Sequence, residues 1–131
     1  MKNKSIKLWL LLTTLFSCIT ANAYDFECDG LYYNINSDKS TVTLTKPTSS
    51  HYSGRLSIPE NVTYKQKTYS VTAIESSTFS SSPALISVIL PNTLTSLPSY
   101  AFSQCRALSE VQLGRAIQKI ANQLFGNFID D

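Results

Sequence analysis

The sequence contains little of the side-chain chemistry on which enzymes and metal sites depend. Its single histidine, His51, lies in a serine-rich segment, where an exposed loop position is expected rather than a catalytic base. No cysteine or histidine pair has the spacing of metal ligands, and the four glycines form no phosphate-binding loop. The carboxylates at Glu60, Glu75 and Glu110 do not recur at a fixed spacing, so they predict no row of acidic groups. These absences predict a protein that is not an enzyme and has no metal, cofactor or small-molecule substrate.

An excess of charge of one sign is also missing. The chain carries 11 lysines and arginines and 9 aspartates and glutamates, a formal net charge of +2. Three of the lysines, Lys2, Lys4 and Lys7, lie at the start of the chain, and without them 8 basic residues face 9 acidic ones, a charge of −1. So small a charge gives no electrostatic reason to predict nucleic-acid binding.

Residues 1–23 have the pattern of a secretory signal peptide, which predicts a secreted or cell-surface protein. A basic start is followed by an apolar run, residues 8–16, that is too short to span a bilayer as a helix. The triplet Ala-Asn-Ala at 21–23 then fits the small-residue rule for signal peptidase, so cleavage is predicted directly after it. The alternative is a lipid anchor at Cys18, a pattern that the bulky Phe16 fits poorly.

What the sequence does contain is a block that recurs every 23 positions. The apolar positions that follow this period are Val71, Leu94 and Ile117; Ile74, Leu97 and Ile120; Phe79, Phe102 and Phe125; and the pairs Leu85 and Leu108, Val88 and Val111, and Leu90 and Leu113. The third copy is incomplete at Asp131. A fixed period in this range indicates a stack of repeats whose long exposed surface binds partners.

The segment before the repeats predicts a β-hairpin that caps the stack. Residues 31–35 and 41–45 have strand composition, and residues 36–40 between them are turn-forming. Residues 46–53 are polar and are interpreted as a loop. The chain is therefore divided into a signal peptide (1–23), an N-terminal hairpin cap and loop (24–53) and a repeat region (54–131).

The first repeat is predicted to carry an insertion. Residues 56–59 resemble residues 88–91, but they lie 32 positions earlier, which is one period plus nine. The surplus is interpreted as a hairpin around residues 65–67, with Tyr64 and Tyr69 paired across it.

Each repeat divides into a strand and an outer segment. Leu85, Val88 and Leu90 have the spacing of a strand whose side chains enter a core, and Pro91 then ends it. The outer segments, residues 76–82 and 99–105, are interpreted as short helical turns. Their phenylalanines are expected to stack in the core.

The two cysteines beyond the leader, Cys28 and Cys105, are expected to stay separate thiols. A disulfide is permitted outside the cytosol. However, the residues lie 77 positions apart, near opposite ends of an elongated stack, and a disulfide needs Cα atoms within about 7 Å. Cys105 also shares its repeat position with Ser82 and Phe128, which fits a small buried side chain.

These features resemble the BspA-type leucine-rich repeat. The pattern is carried best by residues 97–113, Leu-Pro-Ser-Tyr-Ala-Phe-Ser-Gln-Cys-Arg-Ala-Leu-Ser-Glu-Val-Gln-Leu, and the resemblance covers residues 54–128. It implies a β-rich α/β fold: a short solenoid with parallel strands on its concave face, helical turns on its convex face and the N-terminal hairpin as a cap. The chain departs from the pattern at several positions, among them Gly114, where the family has proline.

The resemblance implies a secreted or surface protein that binds another protein, such as a host matrix protein or a protein on another cell. The outward strand positions are the candidate partner-binding residues: Ile86, Ser87, Ile89, Ser109, Glu110 and Gln112. Exposed Ile86 and Ile89 would form an apolar patch of the kind that marks contact surfaces, unless they pack under the hairpin or another domain. The alternative function is a structural cap or spacer, or a piece of a longer surface adhesin without its own binding activity.

Overall fold

The computed structural model describes residues 23–117, 119 and 120, and the leader predicted for residues 1–23 therefore lies almost wholly outside the described residues. Ten strands account for the regular structure: β1 Phe26–Cys28, β2 Leu31–Ile35, β3 Thr41–Thr45, β4 Gly54–Ser57, β5 Asn61–Tyr64, β6 Lys67–Ile74, β7 Leu85–Ile89, β8 Ser96–Leu97, β9 Glu110–Gln112 and β10 Lys119–Ile120. No helix occurs among these residues, so the fold is β-rich.

A five-stranded sheet, with strand order β1-β2-β3-β6-β5, forms the N-terminal part of the molecule. The predicted hairpin is confirmed, because β2 and β3 pair antiparallel at the expected bounds. The inserted hairpin is confirmed as well: β5 and β6 are antiparallel and joined through Lys65 and Gln66, whose φ angles of 49° and 66° are typical of a tight two-residue turn. Because β3 pairs parallel with β6, the two hairpins form one sheet.

A second sheet, with strand order β4-β7-β9, is wholly parallel and follows the repeat. Val88 on β7 pairs with Val111 on β9, one full period later in the chain. On its other side Val88 pairs with Leu56, at the predicted offset of 32. The short strands β8 and β10 also pair parallel, Leu97 opposite Ile120, so the third copy begins in register.

The outer segments of the repeats are turns, and the predicted helical turns are wrong. Ser77 and Ser81 have φ angles of 67° and 59°, and the residues one period later, Tyr100 and Gln104, have 59° and 61°. Left-handed backbone at two points in each segment cannot continue a right-handed helix. The serine-rich first segment also favours turns, because serine side chains compete for backbone hydrogen bonds.

The aromatic core follows the repeat only in part. The rings of Phe79 and Phe102 stack with centroids 5.4 Å apart and planes 9° apart, as the period predicts, whereas Phe125 lies outside the described residues. The ring of Tyr52 continues the column 5.5 Å from Phe79, although its place in the sequence does not follow the period. Its hydroxyl donates to the Thr45 carbonyl at 2.6 Å, so the loop carries a buried anchor that the sequence did not reveal.

The predicted pairing of Tyr64 with Tyr69 is wrong. Tyr69 lies opposite Val62 in the register, and Tyr64 lies opposite Lys67. Both tyrosines instead contact Phe26 on β1, with centroid distances of 4.4 Å for Tyr64 and 6.1 Å for Tyr69. The strand β1 was not predicted, because so short a strand carries too little periodicity to be recognised.

Cys28 and Cys105 are free thiols, as predicted. Cys105 is half-buried, and its Sγ donates to the Phe79 carbonyl at 2.8 Å, which ties one outer turn to the preceding one. Burial raises the pKa of this thiol. Gly114 also has a structural reason: a Cβ at this position would lie 2.3 Å from the Pro91 carbonyl oxygen, so only glycine fits against the preceding repeat.

Candidate binding face

The central strand β7 presents two exposed isoleucines. Leu85, Val88 and Leu90 are buried as predicted, whereas the exposed fractions are 36% for Ile86 and 43% for Ile89. Ile86 is opposed by no residue of β4, because the register shifts where Gly54 pairs with Leu85 and Arg55 with Ser87. An extra residue of this kind is a β-bulge, which redirects side chains locally. Neither isoleucine packs beneath the N-terminal hairpin.

Ser87 lies in the outward row of β7 and lines the cleft of this face, but it is buried. Its exposed fraction is 8%. It lies in the middle of a row, with Arg55 of β4 on one side and Glu110 of β9 on the other. Because both neighbours have longer side chains, the serine is sunk between them.

The three strands together form a shallow cleft of about 230 Å³ on this face. Its lining residues are Arg55, Leu56, Ser57, Ser87, Val88, Ile89 and Glu110. We call this surface, with the neighbouring Ile86 and Gln112, the sheet face. It combines a basic group, an acidic group and exposed isoleucine within one concavity, which is the mixture that protein interfaces use.

The remaining predicted residues lie on β9 or next to it. Glu110 and Gln112 are exposed and lie opposite Ser87 and Ile89. Ser109 is exposed, but its backbone N–H and its hydroxyl both donate to the Ile86 carbonyl, at 2.9 and 3.2 Å. Ser109 therefore fixes the register of the two strands rather than presenting a free hydroxyl.

Sequence reasoning missed the contribution of β4. Arg55 and Ser57 are exposed on the sheet face, in register with Ser87 and Ile89. The signal was present, because the offset of 32 positions between the first and second strands also aligns these pairs.

Two other clefts lie in the part of the chain that the structure describes. The larger, of about 350 Å³, lies between β1 and β5, where Cys28 and Asp29 face Asn61 and Thr63. Burial, followed by the nearby Asp29 and Glu27, raises the pKa of the Cys28 thiol, which keeps it protonated and a poor nucleophile. The smaller cleft, of about 110 Å³, lies beside Glu75.

The described part of the chain shows no cluster suited to metal chemistry. Within residues 23–117, 119 and 120, no three histidine, cysteine, aspartate or glutamate side chains are grouped so that they could hold a metal ion. In the same residues there is no helix of the length and apolarity needed to cross a membrane.

Comparison with known proteins identifies the family to which this sequence is similar. The family described as "BspA type Leucine rich repeat region (6 copies)" matches residues 56–130, more than half of the chain. No functionally curated protein matches the chain.

Several solved structures share the fold. A leucine-rich repeat protein from Bacteroides ovatus is 26% identical, with a TM-score of 0.65, over 72% of this chain and 24% of that one. A leucine rich cell surface protein from Faecalibacterium prausnitzii is 30% identical, with a TM-score of 0.60, over 72% of this chain and 26% of that one. A leucine-rich repeat protein from Bacteroides capillosus is 22% identical, with a TM-score of 0.61, over 74% of this chain and 87% of that one. The chain thus spans about a quarter of the length of the first two.

Proposed function

This chain belongs to the BspA-type leucine-rich-repeat family, and we propose that it is a secreted or cell-surface protein that binds another protein without catalysis. The observation that carries the proposal is the sheet face, where the exposed Ile89 shares a cleft with Arg55 and Glu110, and Ile86 is exposed nearby on the same strand. Exposed apolar side chains rimmed by charges are typical of protein-binding surfaces.

The proposed mechanism is recognition by a preformed surface. Backbone hydrogen bonds hold the strands of the face together, including Ile58 N–H to the Ile89 carbonyl at 2.9 Å and Leu90 N–H to the Gln112 carbonyl at 2.9 Å. A rigid face loses little conformational freedom on binding, so a few side chains can supply useful affinity. The extracellular location is supported by the similarity to the Faecalibacterium prausnitzii structure, which is that of a cell surface protein.

The experiment measures binding to a panel of purified extracellular matrix proteins and to intact bacterial cells, using surface plasmon resonance and cell pull-down. We expect Ile86→Arg and Ile89→Arg to weaken binding about tenfold or more, because a buried charge replaces an apolar contact. Ser50→Arg adds the same charge in an exposed loop and serves as the control. Equal binding by all variants would contradict the proposed face.

A second candidate is a structural spacer, or a piece of a longer surface adhesin, without its own partner. The observation that favours it is the short span of the chain relative to the Bacteroides ovatus and Faecalibacterium structures, 24% and 26% of their lengths. A spacer predicts a cooperative thermal unfolding transition by circular dichroism together with no binding to any probe, whereas a piece of a longer adhesin predicts a melt without a cooperative transition. Saturable binding that Ile89→Arg abolishes would reject it.

A further inference from the structure

The sheet face has an ordered pattern of chemistry across its three strands. Two rows of side chains run across β4, β7 and β9 in register: Arg55, Ser87 and Glu110 in the first, and Ser57, Ile89 and Gln112 in the second. In both rows the centre is small or apolar, and in the first row the two flanks carry opposite charges.

The charged flanks are placed symmetrically about β7. Neighbouring strands lie about 4.8 Å apart, so the backbones that carry Arg55 and Glu110 are separated by about 10 Å, with β7 midway. Both side chains are exposed and line the same cleft, and the buried Ser87 forms its floor. The first row is therefore basic on one side, neutral in the middle and acidic on the other.

Such a pattern is complementary to itself under one particular rotation. Consider a two-fold axis that runs parallel to β7 and lies directly above it. The second copy then faces the first, with its β4 opposite β9 of the first copy and its β9 opposite β4. Arg55 of one copy then faces Glu110 of the other, and Glu110 faces Arg55. A two-fold axis perpendicular to the strands would instead place like charges together, so the pattern selects one geometry.

The second row is compatible with the same rotation. Ile89 faces Ile89 of the other copy, and the apolar contact lies close to the axis. Ser57 of one copy faces Gln112 of the other, and the hydroxyl and the amide can each donate and accept a hydrogen bond. No position of either row is left opposite a like charge or a mismatched group.

We propose that the sheet face binds a second copy of this chain in this two-fold arrangement. The proposal rests on the proposed function, since it assigns a partner to the same face. The association is weak and transient, because the face is only three strands wide and stable interfaces bury about 800 Å² on each partner. A self-associating face of this type would join two molecules, or two cells that display them.

The test uses protein expressed from all 131 residues, and sedimentation velocity is measured over a wide range of protein concentration. Arg55→Glu and Glu110→Arg each convert two attractive pairs into repulsive ones, so we expect each to raise the dimer dissociation constant about tenfold or more. The double variant R55E/E110R restores the pairs, with their signs exchanged, and should recover the wild-type constant. Lys46→Glu and Glu27→Arg make the same charge changes at exposed positions off the face and should have no effect.

The charge exchange also separates this proposal from the more general one. The charges of a different partner protein stay the same when Arg55 and Glu110 are exchanged. R55E/E110R would therefore lose binding to that partner while keeping self-association. Restored self-association therefore supports the dimer whatever the partner screen shows. Concentration-independent sedimentation of the wild type, or a double variant as impaired as the single ones, would overturn the dimer and leave the proposed function to its own test.

Discussion

The strands β7 and β9 occupy the same position in successive repeats, yet they are buried to different extents. Leu85 and Val88 on β7 are fully buried, whereas their equivalents Leu108 and Val111 are half-buried. The contrast is largest at the end of the strand, where the exposed fraction is 4% for Leu90 and 46% for Leu113.

The difference teaches that burial in this fold comes from the neighbouring repeat. The central strand β7 has β4 on one side and β9 on the other, whereas β9 ends the sheet within the described residues. The residue types are alike in the two repeats, so the sequence pattern predicts equal burial. What differs is the number of neighbouring strands, which is two for β7 and one for β9 within the described residues. Stability in such stacks depends on each interface between repeats.

The largest expected effect tests this comparison directly. Leu85→Ala should lower the free energy of unfolding by about 2–5 kcal/mol, because the cavity lies in the closed core. Leu108→Ala should cost about half as much or less, because its half-buried site can relax or admit water. Chemical denaturation of the two variants checks the difference. Equal losses would mean that the end of the stack is covered as fully as its centre.

A smaller effect is expected at a second pair of equivalent positions, Ser82 and Cys105. The Cys105 thiol has the Phe79 carbonyl as a partner, whereas the Ser82 hydroxyl is buried and has no hydrogen-bond partner among the residues that the structure describes. Ser82→Ala should therefore raise the free energy of unfolding by about 1 kcal/mol, since a buried unpaired hydroxyl is removed. Denaturant midpoints measure the change, with Ser76→Ala, at an exposed position of the same outer segment, as the control. A loss of stability would show that the hydroxyl has a partner in solution.

The smallest effect is expected where stability is local and independent of repeat neighbours. In the turn between β2 and β3, the Asp38 carboxylate accepts hydrogen bonds from the Ser40 and Thr41 N–H groups at 2.8 and 2.9 Å. The backbone bond from Ser40, followed by those from Thr41, lowers the pKa of Asp38. A lowered pKa in the folded state means that this contribution is fully present above the ordinary value of about 4 and is lost as the pH falls through the lowered pKa.

Asp38→Asn should therefore be less stable than the wild type at neutral pH, and the gap should narrow in acid. Thermal unfolding followed between neutral and acidic pH measures both curves. Glu27→Gln, at an exposed position of β1, is the matched control for removing one carboxylate. Parallel curves for the wild type and Asp38→Asn would show that the turn does not depend on the ionised carboxylate.

Much of the fold could be predicted because apolar residues recur in the sequence at a fixed spacing. The repeat period aligned Val88 with Val111, and the offset of 32 aligned it with Leu56. The hairpin of β2 and β3 was predictable from local strand and turn composition. Tyr52 could not be found in this way, because it joins the ring column out of period, through a loop.

The candidate site was predicted less completely. Ile86 and Ile89 are exposed as expected, but alternation along one strand could not show that Ser87 is sunk between Arg55 and Glu110. That outcome depends on side chains from two other strands. The prediction that the face binds a partner remains a prediction, now with Arg55 included.

The sequence by itself determined the repeat period, the inward residues of each strand and the places where hairpins form, because these depend on local spacing and composition. The tertiary structure decided how deeply equivalent residues are buried and which side chains share the sheet face. It also decided that the outer segments are left-handed turns rather than helices. The physical reason is the same in each case: these properties arise when strands distant in sequence pair, and the pairing brings together side chains whose contacts no single repeat specifies.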